Sequence, residues 1–399
     1  MSLTLSERCL KIAPSATLAM DAKAKAMIAA GEDVIGFGAG EPDFDTPEYI
    51  RDACKDALDR GMTRYTPVAG TMALRNEICN KFQRDNGLTY EAADIIVSNG
   101  AKQSISVALS ALLNPGDEVL LPAPCWVSYP EMVQMAGGTC VYVPSEEKDN
   151  FVVTAKKLSN YITKNTKALI LNSPCNPTGA LWTRDQLKEI ADLAVKCGFY
   201  VISDEIYEKL IYDGHEHVSI ASFNEKIKQQ TIVVNGPSKA YAMTGWRIGY
   251  AAGPRNVIKA MTAFQSHATS GPNTMAQYAT MVAMQGGEEH IETMRQAFDN
   301  RRKLMYNLIE GIDGLSARMP QGAFYMMIDI TSCLGKSING QVITGSLSFA
   351  EQLLAVEKVA VVPGGAFGAD THVRVSYATS PEKIQTGLDR IAHFVKSLQ

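Results

Sequence analysis

Between residues 95 and 252, short apolar runs alternate with segments of helical spacing, and this alternation limits the possible folds more than any other feature. The runs predict strands at 95–98, 118–121, 139–143, 168–172, 199–203, 231–235 and 248–252. The segment that starts at Ala101 and the segment 187–195 have apolar residues at i, i+3 and i+4 and predict helices. Strands separated by helices form a mostly parallel sheet that is covered on both faces. Ligands of such sheets bind beyond the carboxyl ends of the strands.

The pattern changes after about Gly286 and indicates a smaller α+β domain. A long helical stretch over 288–308 precedes a predicted strand at 322–328, a helix at 348–354 and strands at 359–362 and 373–377. The beginning of the chain, with a predicted helix at 16–30, is expected to dock on this domain, as terminal segments often do. We therefore predict three parts, namely an N-terminal segment 1–45, a large domain 46–286 and a small domain 287–399.

The bulk composition excludes several classes of protein. The 399 residues are 46% hydrophobic and have a formal net charge of -4, which gives no general attraction to nucleic acid or to an anionic membrane. No apolar run approaches the ~20 residues that span a bilayer, and the N-terminus does not resemble a signal peptide. The eight cysteines are scattered without a C-x-x-C pair, which is typical of reduced thiols. We expect a cytoplasmic protein.

Residues 235–247 (NGPSKAYAMTGWR) place Lys239 among small residues, with Arg247 eight positions later. A lysine amine can form an imine with an aldehyde, while a guanidinium holds a nearby phosphate. Pyridoxal 5′-phosphate (PLP) carries both groups. Its binding sites also contain a carboxylate that faces the pyridine nitrogen and a cup for the phosphate. Lys239 is therefore the predicted attachment point of PLP, and the remaining parts of the site can be sought elsewhere in the chain.

Asp204 ends the apolar strand 200–203 and is the candidate partner of the pyridine nitrogen. A buried carboxylate needs a cationic partner because an isolated buried charge is very costly. Taken alone, Asp204 is expected to cap the turn that follows, but together with Lys239 the cofactor role is favoured. Tyr207 lies three residues on, and its hydroxyl could reach the 3′-oxygen of the ring, although an aromatic residue here could also simply pack.

Two loops that follow predicted strands offer further contacts to the cofactor ring. The turn 172–179 (NSPCNPTG) is stiffened by two prolines, and it could hold the amide of Asn176 against the 3′-oxygen. A purely structural turn is the alternative. The loop 124–130 (PCWVSYP) contains Trp126, whose flat face could stack on the pyridine ring. Core packing is the alternative for this tryptophan.

The predicted phosphate cup combines a helix start with polar side chains. In the segment 98–103 (SNGAKQ), Gly100 allows close backbone approach, and the amides of Ala101 and Lys102 would point at an anion. The hydroxyl of Ser238 and the guanidinium of Arg247 complete the cup. An ordinary salt bridge is the alternative for Arg247.

Two further candidates are an arginine and a tyrosine. Arg374, in the segment 372–377 (HVRVSY), could hold a carboxylate with two parallel hydrogen bonds. A solvated arginine on an edge strand is the alternative. Tyr65 is a candidate phosphate contact. No metal site is expected, because His215 and His217 flank a turn without a third ligand nearby and are predicted to be exposed.

Several ordered motifs make the chain resemble the class I aminotransferases of PLP fold type I, and among them the bacterial aspartate aminotransferase branch. These motifs are PSAT at 14–17, AGEPDFDTP at 39–47, YPEM at 129–132, NPTG at 176–179, SDEIY at 203–207, SKA at 238–240 and VRVSYATS at 373–380. The resemblance implies a homodimer with shared active sites, in which Tyr65 reaches the phosphate of the partner subunit. It also implies substrate contacts from Gly40, Trp126, Asn176 and Arg374, with Lys102 as a candidate for the side-chain carboxylate of aspartate.

The expected function is a transaminase that moves an amino group between L-aspartate and 2-oxoglutarate by a ping-pong mechanism. Lys239 would move the proton at the substrate Cα, with Asp204 and Tyr207 supporting the ring. An aromatic or broad-specificity aminotransferase and a PLP-dependent lyase are the alternatives. Prephenate-using members of the branch tend to carry lysine before PSAT, where this chain has Ala13, so prephenate activity is not expected.

Overall fold

The computed structural model describes residues 4–10, 12 and 16–399. The described helices are α1 (Glu7–Leu10), α2 (Ala16–Ala29), α3 (Glu48–Asp59), α4 (Met72–Asn86), α5 (Ala101–Leu112), α6 (Ser128–Met135), α7 (Ala155–Ser159), α8 (Arg184–Cys197), α9 (Glu225–Lys228), α10 (Pro237–Ala240), α11 (Arg255–Ala268), α12 (Thr274–Gln285), α13 (Glu289–Glu310), α14 (Ser346–Glu357) and α15 (Pro381–Ser397).

The described strands follow the same order along the chain. They are β1 (Ile35–Gly36), β2 (Ile95–Ser98), β3 (Glu118–Ala123), β4 (Thr139–Pro144), β5 (Thr166–Asn172), β6 (Tyr200–Asp204), β7 (Thr231–Asn235), β8 (Gly249–Ala252), β9 (Ser316–Ala317), β10 (Tyr325–Asp329), β11 (Ser337–Ile338), β12 (Gln341–Val342), β13 (Val359–Ala360), β14 (Val362–Pro363) and β15 (His372–Ser376).

Seven strands form the large sheet in the order β2-β8-β7-β6-β5-β3-β4. β8 is antiparallel to both of its neighbours, and the other pairs are parallel. The prediction of a mostly parallel sheet is therefore confirmed. The seven predicted strands all form, with ends that shift by a few residues.

Both faces of this sheet are covered, as its continuous apolar runs require. In β5, Ala168 and Ile170 pack with Leu109 of α5 and with residues of α6 and α11. Leu169 and Leu171 point to the opposite face and pack with α8. The carboxyl ends of β5, β6 and β7 lie side by side between these layers, and this is the edge where a ligand is expected.

A second sheet has the antiparallel order β14-β15-β10-β9 and packs with α13, α14 and α15. The predicted strand 359–362 is split in two, because β13 pairs with β1 while β14 pairs with β15. The parallel β1–β13 pair and the packing of Met20 in the same core attach the beginning of the chain to this sheet. These contacts support the predicted domain boundaries, which stay a prediction.

Two expectations from composition can be compared with the structure. None of the helices in residues 4–10 and 16–399 is long and apolar enough to cross a membrane. All eight cysteines are free thiols, as predicted. The PSAT motif begins at Pro14, so it lies partly outside the described residues, and Ala13, on which the prephenate expectation depends, lies there too.

Candidate active site

Elements from both sheets bring the predicted site residues together. Lys239 lies on the short helix α10, which begins two residues after β7 ends. Its Nζ donates a hydrogen bond to the carbonyl of Gly40 and lies 5.9 Å from the ring centre of Tyr207. Burial lowers the pKa of Lys239 to about 8, although the nearby carboxylate of Glu41 opposes this shift. The result is an amine that loses its proton far more easily than an ordinary lysine.

Asp204 is the last residue of β6, and its side chain is buried. Tyr129 Oη donates to Asp204 Oδ2 over 2.7 Å, and the amide of Ile206 donates to Oδ1 over 3.3 Å. The hydrogen bond from the Ile206 amide is a capping bond, so Asp204 also caps the turn that follows β6, as the alternative interpretation predicted. Burial raises the pKa of Asp204 to about 6 despite these two bonds. A cation opposite this carboxylate would favour its charged form.

The turn after β5 connects Asp204 to the arginine on the second sheet. Asn172 Nδ2 donates to the carbonyl of Asp204 over 3.0 Å, and Asn172 Oδ1 accepts from the amide of Asn176 over 2.8 Å. Asn176 Oδ1 in turn accepts a 3.0 Å hydrogen bond from Arg374 Nη1. Asn176 is therefore held by both its backbone and its side chain, which a purely structural turn would not require.

Arg374 is only 3% exposed, because β15 lies between β14 and β10 inside the second sheet. The alternative of a solvated arginine on an edge strand is therefore wrong. The guanidinium lies 4.4 Å from the ring centre of Tyr325, and its Nη2 donates to the carbonyl of Gly38 over 2.9 Å. Its Nε is buried and has no hydrogen-bond partner. Among the described residues no carboxylate pairs with this cation, and burial lowers its pKa.

Tyr207 is buried and forms a 3.0 Å hydrogen bond between its hydroxyl and that of Tyr325. Its ring packs edge-on against Phe324 with centroids 5.5 Å apart. Both the packing alternative and a polar role for the hydroxyl are thus compatible with its position. The hydroxyl of Tyr325 also lies 3.6 Å from where a Cβ on Gly40 would stand, so a side chain at Gly40 would approach it closely.

Arg247 lies beside the beginning of α5, where the phosphate cup is predicted. Gly100 has φ +91°, and a Cβ on it would lie 2.3 Å from Arg247 Nη2. Arg247 donates to the carbonyls of Thr244 and Asn99 over 2.7 and 3.3 Å. Among the described residues it has no acidic partner, so the salt-bridge alternative is wrong for this part of the chain. The first amides of α5, at Ala101 and Lys102, are left free by the geometry of a helix start.

Lys102 and Trp126 meet at the side of this cup. Lys102 Nζ lies 4.8 Å from the ring centre of Trp126, and this ring packs edge-on against Tyr129 at 5.3 Å. Trp126 is half-buried and packs against the core of the large sheet, so the core-packing alternative describes part of its surroundings. Burial, and next the charge of Arg247, lower the pKa of Lys102.

The charges of the site fit PLP. Lys239, Arg247 and Arg374 are cations without a direct carboxylate partner among the described residues, whereas Asp204 is a buried carboxylate without a direct cation. The aldehyde of PLP would complement Lys239, its phosphate Arg247 and its pyridinium Asp204, and a substrate carboxylate would complement Arg374. Ser238 is buried at the beginning of α10, next to Lys239.

The comparisons with known proteins agree with this chemistry. The model of the family "Aminotransferase class I and II" matches residues 32–391. The chain belongs to this family. An aspartate aminotransferase from Bacillus sp. (strain YM-2) is 48% identical over 399 residues, with 99% of this chain and 100% of the relative covered.

Solved aminotransferase structures share the whole fold. The aspartate aminotransferase of Rhizobium meliloti aligns with a TM-score of 0.96 and 42% identity over 100% of both chains. That of Thermus thermophilus, determined with maleate, aligns with a TM-score of 0.93 and 44% identity over 98% of this chain and 100% of the other. This chain is therefore a PLP-dependent aminotransferase of fold type I.

Three residues of this aminotransferase site escaped the sequence analysis, namely Tyr129, Asn172 and Tyr325. Tyr129 and Asn172 lie inside motifs that were singled out, but nothing in a linear pattern shows which side chain meets Asp204. Tyr325 sits in an apolar strand where its hydroxyl gives no signal. A further prediction was wrong, because the side chain of His217 is almost fully buried and pairs with Glu205 at 2.9 Å.

Tyr65 is the predicted site residue that makes no contact with the other site residues of its own chain. Its side chain is 98% exposed, whereas its neighbours are fixed to α12. Thr274 Oγ1 donates to the carbonyl of Arg64 over 2.8 Å, and Gln277 Nε2 donates to Thr66 Oγ1 over 3.0 Å.

Proposed function

We propose that this aminotransferase transfers the amino group of L-aspartate to 2-oxoglutarate. The observation that carries the proposal is the buried guanidinium of Arg374, which has no carboxylate partner in the described chain. A carboxylate of the substrate would supply that partner with two parallel hydrogen bonds. Lys102 offers a second cation for the side-chain carboxylate of a dicarboxylic amino acid. The names of the relatives and the maleate in the Thermus structure, itself a dicarboxylate, support this choice.

The chain offers groups for each part of the cofactor. PLP, when bound, supplies an aldehyde that exchanges amino groups and a ring that accepts negative charge from the substrate. We propose Asp204 and Trp126 for the ring and Asn176 and Tyr207 for its 3′-oxygen. The phosphate would be held by Gly100, Ala101, Lys102, Ser238 and Arg247.

Lys239 is the proposed proton carrier at the substrate Cα. With a pKa of about 8 in the PLP-free chain, about one tenth of its amines are neutral at pH 7, against about one in 3,000 for an unperturbed lysine. A neutral amine can accept the Cα proton as general base and return a proton as general acid. Asn176 accepts a hydrogen bond from Arg374, the group proposed to bind the substrate carboxylate. Asn176 is also connected through Asn172 to Asp204, the carboxylate proposed to face the ring, so one hydrogen-bond network holds both groups.

We also propose a homodimer in which Tyr65 completes the phosphate site of the partner subunit. A tyrosine that is 98% exposed on a backbone pinned from both sides is placed to contact another molecule. The cytoplasm is the proposed compartment, and the eight free thiols support it. Size-exclusion chromatography with light scattering tests the dimer, and a monomer at working enzyme concentrations would contradict it.

A panel of amino acids with 2-oxoglutarate tests the reaction and the substrate together. We expect aspartate to give the highest kcat/KM, with glutamate and oxaloacetate as products and no release of ammonia. Higher kcat/KM values for aromatic amino acids would refute the proposed substrate but keep the transaminase. Release of ammonia or of an eliminated side chain as the main product would favour a lyase.

A further inference from the structure

A cluster of three potential metal ligands lies away from the active-site groups, where the two sheets approach each other. Glu147 is in the short turn 147–149 that follows β4 of the large sheet. Asp329 ends β10 and His372 begins β15, and the two residues face each other in the antiparallel register. Their ligand atoms all lie within 4.8 Å of one another.

His372 presents an unsatisfied nitrogen to this cluster. The residue is 7% exposed, and its Nδ1 lies 3.0 Å from the hydroxyl of Thr371. Its Nε2 is buried without a hydrogen-bond partner, and it lies 3.6 Å from Glu147 Oε2. A buried polar atom of this kind calls for an explanation, because leaving it unpaired costs about 1–3 kcal/mol.

The tautomer of His372 decides what faces Glu147. If Nε2 carries the proton, Thr371 Oγ1 donates to Nδ1, and the N–H of the neutral ring lies 3.6 Å from Glu147, beyond hydrogen-bond distance. If Nδ1 donates its proton to Thr371, Nε2 carries a lone pair that faces the carboxylate of Glu147. Two electron-rich groups then repel each other unless a cation lies between them. A metal ion could supply that charge.

We propose that Glu147, Asp329 and His372 bind a divalent transition-metal ion of the zinc class. One imidazole and two carboxylates are ligands that Zn²⁺ accepts, with a fourth position left for water. Of the Asp329 oxygens, Oδ1 accepts hydrogen bonds from the amide and hydroxyl of Thr331, which leaves Oδ2 for the ion. The contact between Thr371 and His372 Nδ1 matches the outer hydrogen bond that orients metal-binding histidines.

The surroundings of the cluster favour an added cation. The only cationic neighbour that pairs with Glu147 in the described chain, besides His372, is Arg318, whose Nε lies 4.0 Å from Glu147 Oε1 and whose side chain is half exposed. Such a pair contributes little charge compensation. A cavity of about 230 Å³ lies beside the cluster and is lined by Arg318 and Phe151. The Phe151 ring, which lines this cavity, packs edge-on against His372 at 5.5 Å.

A second cluster of similar composition differs from the first in its ion pairs and hydrogen bonds. Glu205, Glu208 and His217 also lie within ligand distance of one another. There, however, the ammonium of Lys81 contacts Glu208, and His217 Nε2 already bonds to Glu205 at 2.9 Å. The imidazole nitrogen that faces the carboxylates is therefore already hydrogen-bonded there, and we expect a single metal ion per chain, at the first cluster.

A metal ion at the proposed site would connect β15 to the large sheet. It would join the turn after β4 to β15, the strand that also carries Arg374 two residues after His372. A bound ion would tie this strand to the large sheet and restrict the movement of one relative to the other.

The test is zinc binding by the PLP-loaded enzyme after chelator treatment. Equilibrium dialysis against low-micromolar ZnCl₂, with metal content by mass spectrometry, is carried out on the natural protein and on His372→Gln, Glu147→Gln and Asp329→Asn. His393→Gln is the matched control, since His393 is an exposed histidine that pairs with one glutamate, Glu357, at 2.6 Å. Circular dichroism and the absorbance of bound PLP establish that each variant is folded.

We expect one zinc per chain in the natural protein and in His393→Gln, and at least a tenfold loss of affinity in Glu147→Gln and His372→Gln. Zinc should also raise the thermal midpoint of the first two proteins only. Absence of stoichiometric zinc in the natural protein, or equal binding by all variants, would overturn the proposal. In that case a neutral His372 that carries its proton on Nε2, next to Glu147, explains the cluster. Glu147 is half-buried in a turn, so its substitution keeps the test informative if the His372 variant does not fold.

Discussion

Replacement of Gly100 by alanine is expected to weaken PLP binding without removing any polar group of the cup. The added Cβ would stand 2.3 Å from Arg247 Nη2 and 3.0 Å from its Cζ. No atom pair tolerates such a separation, so the guanidinium must move away from the beginning of α5. The free amides of Ala101 and Lys102 stay, but the cation proposed to face the phosphate beside them is displaced.

The expected loss is that of a hydrogen bond to a charged group, about 1.5–3 kcal/mol. This corresponds to a Kd for PLP that is about 10- to 150-fold higher. Alanine at φ +91° also strains the backbone by about 1–3 kcal/mol, which lowers the free energy of unfolding. The two effects must be measured separately.

Gly116→Ala is the matched control, because Gly116 has φ +92° and a Cβ on it would meet nothing within 4 Å. Both variants are stripped of cofactor and titrated with PLP by absorbance, and urea unfolding of the stripped proteins reports the strain. We expect destabilisation in both variants but weak PLP binding only in Gly100→Ala. If the two variants bind PLP with Kd values within twofold of each other, Arg247 does not form the cup described here.

Three further predictions concern other parts of the site. Arg374→Lys keeps the charge but loses the planar fork, so kcat/KM for aspartate should fall about 100-fold, as expected for about 3 kcal/mol of charge-assisted hydrogen bonding; unchanged kcat/KM would show that the carboxylate binds elsewhere. In PLP-free protein the rate of reaction of Lys239 with added PLP should rise with pH around a midpoint of about 8, because burial lowers the pKa of the amine; a midpoint near 10.5 would contradict the described environment. Tyr65→Phe should leave the dimer intact yet weaken PLP binding about 10-fold, the upper range of one hydrogen bond; a PLP affinity equal to that of the natural protein would remove Tyr65 from the phosphate site.

The large sheet was predictable because most of its strands are buried on both faces, although the edge strand β4 is largely exposed. Continuous apolar runs such as 231–235 mark these strands without any knowledge of tertiary contacts. The second sheet was less predictable. Its strands are short, and the run 359–362 reads as one strand although its two halves pair with different partners, β1 and β15. Such a division depends on long-range pairing, which local periodicity does not encode.

The candidate site shows the same division between local and long-range information. Lys239, Asp204 and Asn176 could be identified because each stands at the end of a predicted strand, in a motif with a chemical reason. Tyr129 and Tyr325 could not, because their roles arise from hydroxyl contacts with residues 75 and 118 positions away. His217 was misjudged because its partner Glu205 lies 12 positions earlier, directly after β6, and is buried, which the sequence around the turn does not show.

The covalent attachment of PLP to Lys239 is the claim on which the whole account depends. Borohydride reduction of the PLP-loaded enzyme, followed by proteolysis and peptide mass spectrometry, measures it directly. We predict that the reduced cofactor is found on the peptide that contains Lys239 and on no other, and that Lys239→Ala retains no transaminase activity. Labelling of a different lysine, or a Lys239→Ala variant with full activity, would contradict the account.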